Sequence, residues 1–197
     1  MPSSHAPWSG RIVLASASPR RAELLRSAGI DFDVQPADVD ETIATGESPN
    51  EYVSRLAEAK ARLVYERDVQ RTVLAADTAV VVDARILGKP QDETDASRML
   101  RMLSGRTHEV LTAVSVFHPG QIVDTRIDAT TVEFARLSDT DINWYVSSGE
   151  PMDKAGAYAV QGLASRFVTR IEGSYSNVVG LPIALVYQML TTKLLTF

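Results

Sequence analysis

The chain has no cysteine. Disulfides, thiolate catalysis and Cys-ligated zinc are thereby excluded. Histidine is scarce as well: His5, His108 and His118 are the full set, and no two stand at metal-ligand spacing. His108 reads as a strand-start residue. No apolar run approaches the length of a membrane span. Neither G-x-x-x-x-G-K-[ST] nor G-x-G-x-x-G occurs, so neither a Walker A loop nor a dinucleotide fingerprint is present. Positive charge is in deficit: 20 Lys and Arg stand against 25 Asp and Glu, a formal charge of −5. That argues against broad nucleic-acid binding, which needs a basic face, but not against a small basic pocket. The first ten residues, "MPSSHAPWSG", are polar and lack the basic-then-apolar plan of a signal peptide. A cytoplasmic location and a flexible arm over 1–10 are the expectation. There is no internal repeat, low-complexity tract or linker.

What remains is ordinary for a globular chain of 197 residues, 45% hydrophobic and 23% charged. That length fits one domain, over 11–197, with room for a proper core. "RIVLAS" (11–16) reads as a buried strand running into a helix, with Ser18 as N-cap, Pro19 at N1 and Gly29 just past the end. "DFDVQPADVDET" is extended or loop. Ser48, Pro49 and Glu51 form a capping-box pattern opening a second helix, whose apolar positions include Val53, Leu56, Leu63 and Val64. "TVLAADTAVVVD" is a strongly apolar strand, and "RILGKP" is its hairpin partner after a turn at Asp83-Ala84. "TDASRMLRMLSG" is a helix closed by Gly105. "HEVLTAVSVF" and "QIVDTRIDATTVEFARL" are long strands joined at Pro119-Gly120. "SDTDINWYVSSGEP" is a capped helix, "KAGAYAVQG" and "SRFVTRIEG" are short strands, and "LPIALVYQMLTTKLL" is an amphipathic closing helix. Hairpins mixed with helices favour a mixed α/β sheet over a purely parallel one.

Several residues stand out against this background. Arg20 and Arg21 occupy a helix's first turn, where the dipole makes each cation cost about 0.3–1 kcal/mol unless an anion answers it. They either pair with surface carboxylates such as Glu23 or, with Ser16 and Ser18, hold an oxyanion such as phosphate. Lys60 lies on the apolar stripe of the second helix. It either snorkels at the rim or has a partner or task on the inward face. Asp77 sits mid-strand, where an ionised carboxylate needs a cation, a metal or donors. It is a candidate general base or metal ligand, or else a strand-end cap. Asp40 and Glu41 in "VDET" offer paired oxygens to a hard cation. Lys89, held between Gly88 and Pro90, is an ordinary turn lysine taken alone and a fixed phosphate clamp in company. Gln161 can both donate and accept, as a base edge requires. Cations with carboxylates in a net-acidic chain are what a metal-bound triphosphate needs.

"LASASPRRAELL", "VDET", "RLAEAKA", "AADT", "ILGKP", "MLRMLSGRTHEV", "DKAGAYAVQG" and "GSYSNVVGLP" occur in the order found in the Maf family of nucleoside triphosphate pyrophosphatases. The sequence resembles that family from Arg11 to the closing helix. The resemblance implies an elongated, twisted mixed α/β sheet with flanking helices and two lobes around a cleft, like inosine-triphosphate pyrophosphatases. It implies hydrolysis of a nucleotide to its monophosphate and pyrophosphate, a divalent cation (Mg²⁺, Mn²⁺ or Co²⁺) and a possible homodimer, with no nucleic acid or membrane partner. By position, Asp77 matches the family's proton acceptor. Ser16, Arg20, Arg21, Lys60 and Lys89 match its phosphate-contacting residues, with Lys60 and Lys89 also serving the reaction. Glu41, with Asp77, is expected at the metal. Arg20, Thr78 and Gln161 match the dTTP/UTP type, whereas the 7-methyl-GTP type carries Trp, Gln and Glu there. The neutral Gln161 suits a pyrimidine and a glutamate would suit a methylated, cationic guanine. The alternatives are a pyrophosphatase of 7-methyl-GTP or another noncanonical nucleotide, and a nucleotide-binding regulator of cell division.

Overall fold

A computed structural model describes residues 10–120 and 122–192. Except for Gly10, the N-terminal arm with His5 lies outside those residues, as does the end of the expected closing helix from 193 onward.

The strand carrying Asp77, β3 (Val73–Val82), organises the sheet. Along one edge it pairs antiparallel with β5 (Thr107–His118) from Val73 to Val81, and β5 pairs with β6 (Ile122–Phe134). β7 (Val168–Glu172) follows β6 at the far side. On its other edge β3 meets two short strands in succession. β1 (Ile12–Leu14), itself parallel to β2 (Phe32–Val34), pairs with Val73 and Leu74. β4 (Arg85–Leu87) pairs with Val80, Val81 and Val82. Residues 75–79 have no strand partner on that edge among the described residues. The sheet is seven-stranded and mixed, as its hairpins require.

Alternation along β3 sends neighbouring side chains to opposite faces. Val73, Ala75, Ala79 and Val81 pack under α2 (Pro49–Tyr65), against Leu56, Ala57, Ala61 and Val64 among others. Leu74 and Ala76 pack on the other face, against α1 (Pro19–Ser27) and α6 (Ile183–Thr191). Val80 and Val82, also on that face, join the cluster under α3 (Glu93–Leu103) and α4 (Asp139–Ser147). Asp77 therefore shares a face with α2, and Thr78 faces the other way.

The capping box at Ser48 and Glu51 forms as the spacing predicts, and Ser138 with Asp141 forms another on α4. Ser18 occupies the N-cap of α1 without a side-chain cap bond; its backbone N–H donates instead to Ser16 Oγ at 3.2 Å. The strand expected at "KAGAYAVQG" does not form. Gly156 and Ala157 have φ of 68° and 60°, and the segment coils into 3₁₀ turns at Glu150–Asp153 and Ala155–Ala157. Of "SRFVTRIEG", the first residues belong to a 3₁₀ turn, Leu163–Phe167, and only the rest is β7. A short helix, α5 (Tyr175–Val179), stands where the sequence reading places no element.

Candidate active site

The gap on the edge of β3 opens into a cleft of about 440 Å³. Ser16, Arg20, Arg21, Glu41, Lys60, Asp77, Thr78, Lys89 and Gln161 all line it. These nine residues come from α1 and its approach, the loop before α2, α2 itself, β3, the turn after β4 and the loop before β7.

On the α2 face, Lys60 Nζ donates to Asp77 Oδ1 and to Glu41 Oε1, each at 2.6 Å. The inward lysine thus has partners, and the Lys60 and Asp77 residues are 8% and 7% exposed. Burial pushes the Asp77 carboxyl above its ordinary range, with Lys60 and Arg21 opposing the rise. Glu41 is more open. Burial would raise it too, but the hydrogen bond and charge of Lys60, aided by Lys89 and Arg21, hold it below the usual range. Two carboxylates on one ammonium are thereby driven apart, the buried one toward proton uptake. Tyr52 completes this side. Its hydroxyl donates to the Glu41 carbonyl at 3.1 Å, and burial beside Asp77 and Glu41 pushes its phenol up to about 12.

The opposite face belongs to Arg21. Nε donates to the Gly180 carbonyl at 2.8 Å, and Nη1 donates to the Ala76 carbonyl at 2.7 Å and to Ser16 Oγ at 3.1 Å. Nη2 donates to Thr78 Oγ1 at 3.1 Å. Burial pulls this guanidinium below its usual value, against the attraction of Asp77. Of the five N–H donors of an arginine, four are committed to the protein. Thr78 Oγ1 also lies 2.9 Å from Thr112 Oγ1 on the neighbouring β5. Arg21 therefore satisfies the Ala76 carbonyl, next to Asp77, on the edge that no strand covers.

Arg20 points elsewhere. Its Nη2 donates to the Asp153 carbonyl at 3.4 Å, and its Nη1 is 3.8 Å from Asp153 Oδ2. Lys89 is exposed, and its turn is held because Gly156 N–H donates to the Gly88 carbonyl at 3.0 Å. Gln161 is exposed at the tip of its loop. The cleft further includes Tyr52, Asp153, Lys154 and Tyr158, which the sequence reading does not single out. Adjacent Asp153 and Lys154 carry no periodic signal. Tyr52 stands among the apolar residues of its helix, and nothing in the sequence marks its hydroxyl as facing a cleft.

Residues 11–193 match the family described as Maf-like protein. The chain belongs to the Maf family. It is 56% identical to a dTTP/UTP pyrophosphatase of Koribacter versatilis, over 91% of this chain and 92% of that protein. A protein of the same name from Anaeromyxobacter dehalogenans is 55% identical, over 88% and 89% of the two chains. Among solved structures, the Ham1 protein of Staphylococcus aureus aligns with a TM-score of 0.50 at 18% identity, covering 92% of this chain and 98% of that one. That likeness concerns the fold alone. In this Maf chain no described helix is long and apolar enough to cross a membrane.

Proposed function

We propose that this Maf protein hydrolyses dTTP and UTP to the monophosphate and pyrophosphate. The observation that carries the reading is the Asp77–Lys60 pair on the floor of a cation-lined cleft. The names of its curated relatives support the substrate class. Asp77 takes a proton from a water poised in the cleft as the oxygen attacks the α-phosphorus. The bond from that phosphorus to the bridging oxygen breaks, and pyrophosphate departs. A carboxylate with raised proton affinity is suited to that transfer. Lys60 keeps Asp77 ionised and oriented before attack. Arg20 and Lys89 offset charge on the polyphosphate, and Ser16 contributes a hydroxyl. Arg21 serves by holding Ser16, Thr78 and the backbone at Ala76 in place, with at most one donor left for ligand. Gln161, at the far end, reads the base.

A divalent cation fits this chain. Among the described residues no group of three or more His, Cys, Asp or Glu converges as a ready-made site. Glu41 and Asp77 nevertheless already aim at a single cation, the Lys60 ammonium. One or two carboxylates completed by substrate phosphates is the donor set that Mg²⁺ favours. When bound, the ion supplies charge neutralisation to the phosphoryl oxygens. Glu41 and Asp77 would hold it.

The test is pyrophosphate release from dTTP, UTP, 7-methyl-GTP and purine triphosphates, each with Mg²⁺, Mn²⁺ or Co²⁺. Release from dTTP and UTP above the others is expected, falling about 10²–10⁴-fold in Asp77→Asn with circular dichroism unchanged. Binding without release would point to a regulator instead, and a preference for 7-methyl-GTP would overturn the base assignment.

A further inference from the structure

The loop bearing Gln161 is held at one end by the Glu150 carboxylate and at the other by the tyrosine bonded to that carboxylate. Glu150 Oε2 accepts from Leu163 N–H at 3.0 Å, and Oε1 accepts from Ala164 N–H at 3.4 Å. Oε1 also accepts from the hydroxyl of Tyr145 at 2.8 Å. That hydroxyl in turn accepts from Ala159 N–H at 3.2 Å. Residues 159 and 163–164 are thus tied to the same pair of side chains, and Gln161 stands between them. Tyr145 is fully buried, so the tie is anchored in the core beside Phe167.

Gly162 is part of the device. A Cβ built on it would stand 2.3 Å from Glu150 Oε2 and 2.6 Å from Cδ. Its φ of −106° is open to alanine, so the position needs the space rather than backbone freedom. The carboxylate lies flat against the glycine, and the loop closes over it. The bonds made by the Glu150 carboxylate and the Tyr145 hydroxyl go to the Gln161 loop and not to Arg20 or Lys89, although Arg20 meets Asp153 three residues beyond Glu150. Of the cleft-lining residues between the two ties, Gln161 is the one with a polar side-chain amide.

We propose that Glu150, with Tyr145 and Gly162, is a positioning residue for base selection: it fixes the loop that presents the Gln161 amide to the nucleobase. The inference rests on the reading of Gln161 as the base-contacting group. It makes the two ends of the cleft separable. The clamp governs the base end, and the reaction at Asp77 proceeds whenever the polyphosphate is seated.

The experiment compares wild type with Glu150→Gln, Glu150→Ala and Gly162→Ala. Steady-state kinetics on dTTP and UTP are run alongside inhibition by tripolyphosphate, which has no base. In Glu150→Ala and Gly162→Ala the KM should rise about tenfold, with kcat within about twofold of wild type. Glu150→Gln keeps one acceptor oxygen and should fall between. The tripolyphosphate inhibition constant should stay the same throughout. In the same proteins, amide exchange at Leu163 and Ala164, followed by NMR, should quicken about tenfold or more. Gly162→Ala retains every polar group and decides the matter should Glu150→Ala fold poorly. Unchanged exchange would dispose of the clamp. Faster exchange with an unmoved KM, or a tripolyphosphate constant that moves in step with KM, would dispose of its role in base selection. Wild type that releases no pyrophosphate from dTTP or UTP would instead refute the proposed activity, and the exchange rates would still judge the clamp.

Discussion

Lys60 Nζ and Asp77 Oδ1 are 2.6 Å apart, and each side chain is only 10% exposed. Each charge offsets the burial cost of the other, and Lys60 is answered by Glu41 as well. The pair also sets the proton affinity of Asp77, because Lys60 is the largest influence opposing the upward push of burial.

Removing that influence should be visible in a pH–rate profile. Lys60→Met leaves burial unopposed on this side, so Asp77 is driven further up. The acidic limb of kcat/KM should move to higher pH, and the plateau should drop. A limb that stays in place would mean that Asp77 is not the group titrating.

Arg21 is predicted to resist conservative replacement. A lysine has no planar fork and cannot reach Ser16, Ala76, Thr78 and Gly180 together. Arg21→Lys leaves buried carbonyls unsatisfied, at about 1–3 kcal/mol for each one abandoned. Urea unfolding should show a loss of that order, accompanied by a fall in kcat as the strand edge beside Asp77 loosens.

Gly156 supports the cleft from behind. Its φ is 68°, and a Cβ there would stand 2.8 Å from the Val80 side chain on β3. Gly156→Ala should cost about 1–3 kcal/mol from overpacking, with further cost from the left-handed backbone. Adding Val80→Ala should relieve the clash and recover part of the loss. A double-mutant cycle measures that coupling, and strict additivity would argue against the clash.

His108 supplies a pH dependence of stability. Burial lowers it from 6.5 to about 4. The folded chain therefore declines a proton that the unfolded chain accepts. Stability attributable to this group is full above about 6.5 and is lost as pH falls toward about 4. The shift corresponds to roughly 3 kcal/mol at the acid end. His108→Gln keeps a polar partner for the Tyr158 hydroxyl, which lies 2.9 Å from His108 Nε2. Denaturation midpoints at pH 4.5 and pH 7 should differ less in the variant than in wild type.

The sequence is most readable where one signal acts alone. The first turn of α2 follows from Ser48, Pro49 and Glu51, and β3 follows from an apolar run too long to be a loop. Lys60 and Asp77 stand out because each is a charge at an apolar position. Where two demands meet, legibility fails. "KAGAYAVQG" has the apolar alternation of a strand, but Gly156 must turn away from Val80, and the positive φ at 156–157 breaks the extension. Arg21 looks identical to Arg20 in the sequence. Only the fold brings the Gly180 and Ala76 carbonyls to one of them and Asp153 to the other. Glu150 reads as a helix-end glutamate until the glycine twelve residues later is seen lying against it.

The unpartnered stretch of β3 between Leu74 and Val80 divides labour in a way that bears on how such proteins diversify. Asp77, which we propose as the reacting carboxylate, is held by the long ladder to β5 at the centre of the sheet. Much of the cleft rim comes instead from connections and short turns, 15–18, 88–89 and 153–161, with Arg20 at the start of α1 and 178–179 at the end of α5. On the proposed reading, selectivity for one base or another can drift by rewriting those segments while Asp77 and its strand are inherited intact.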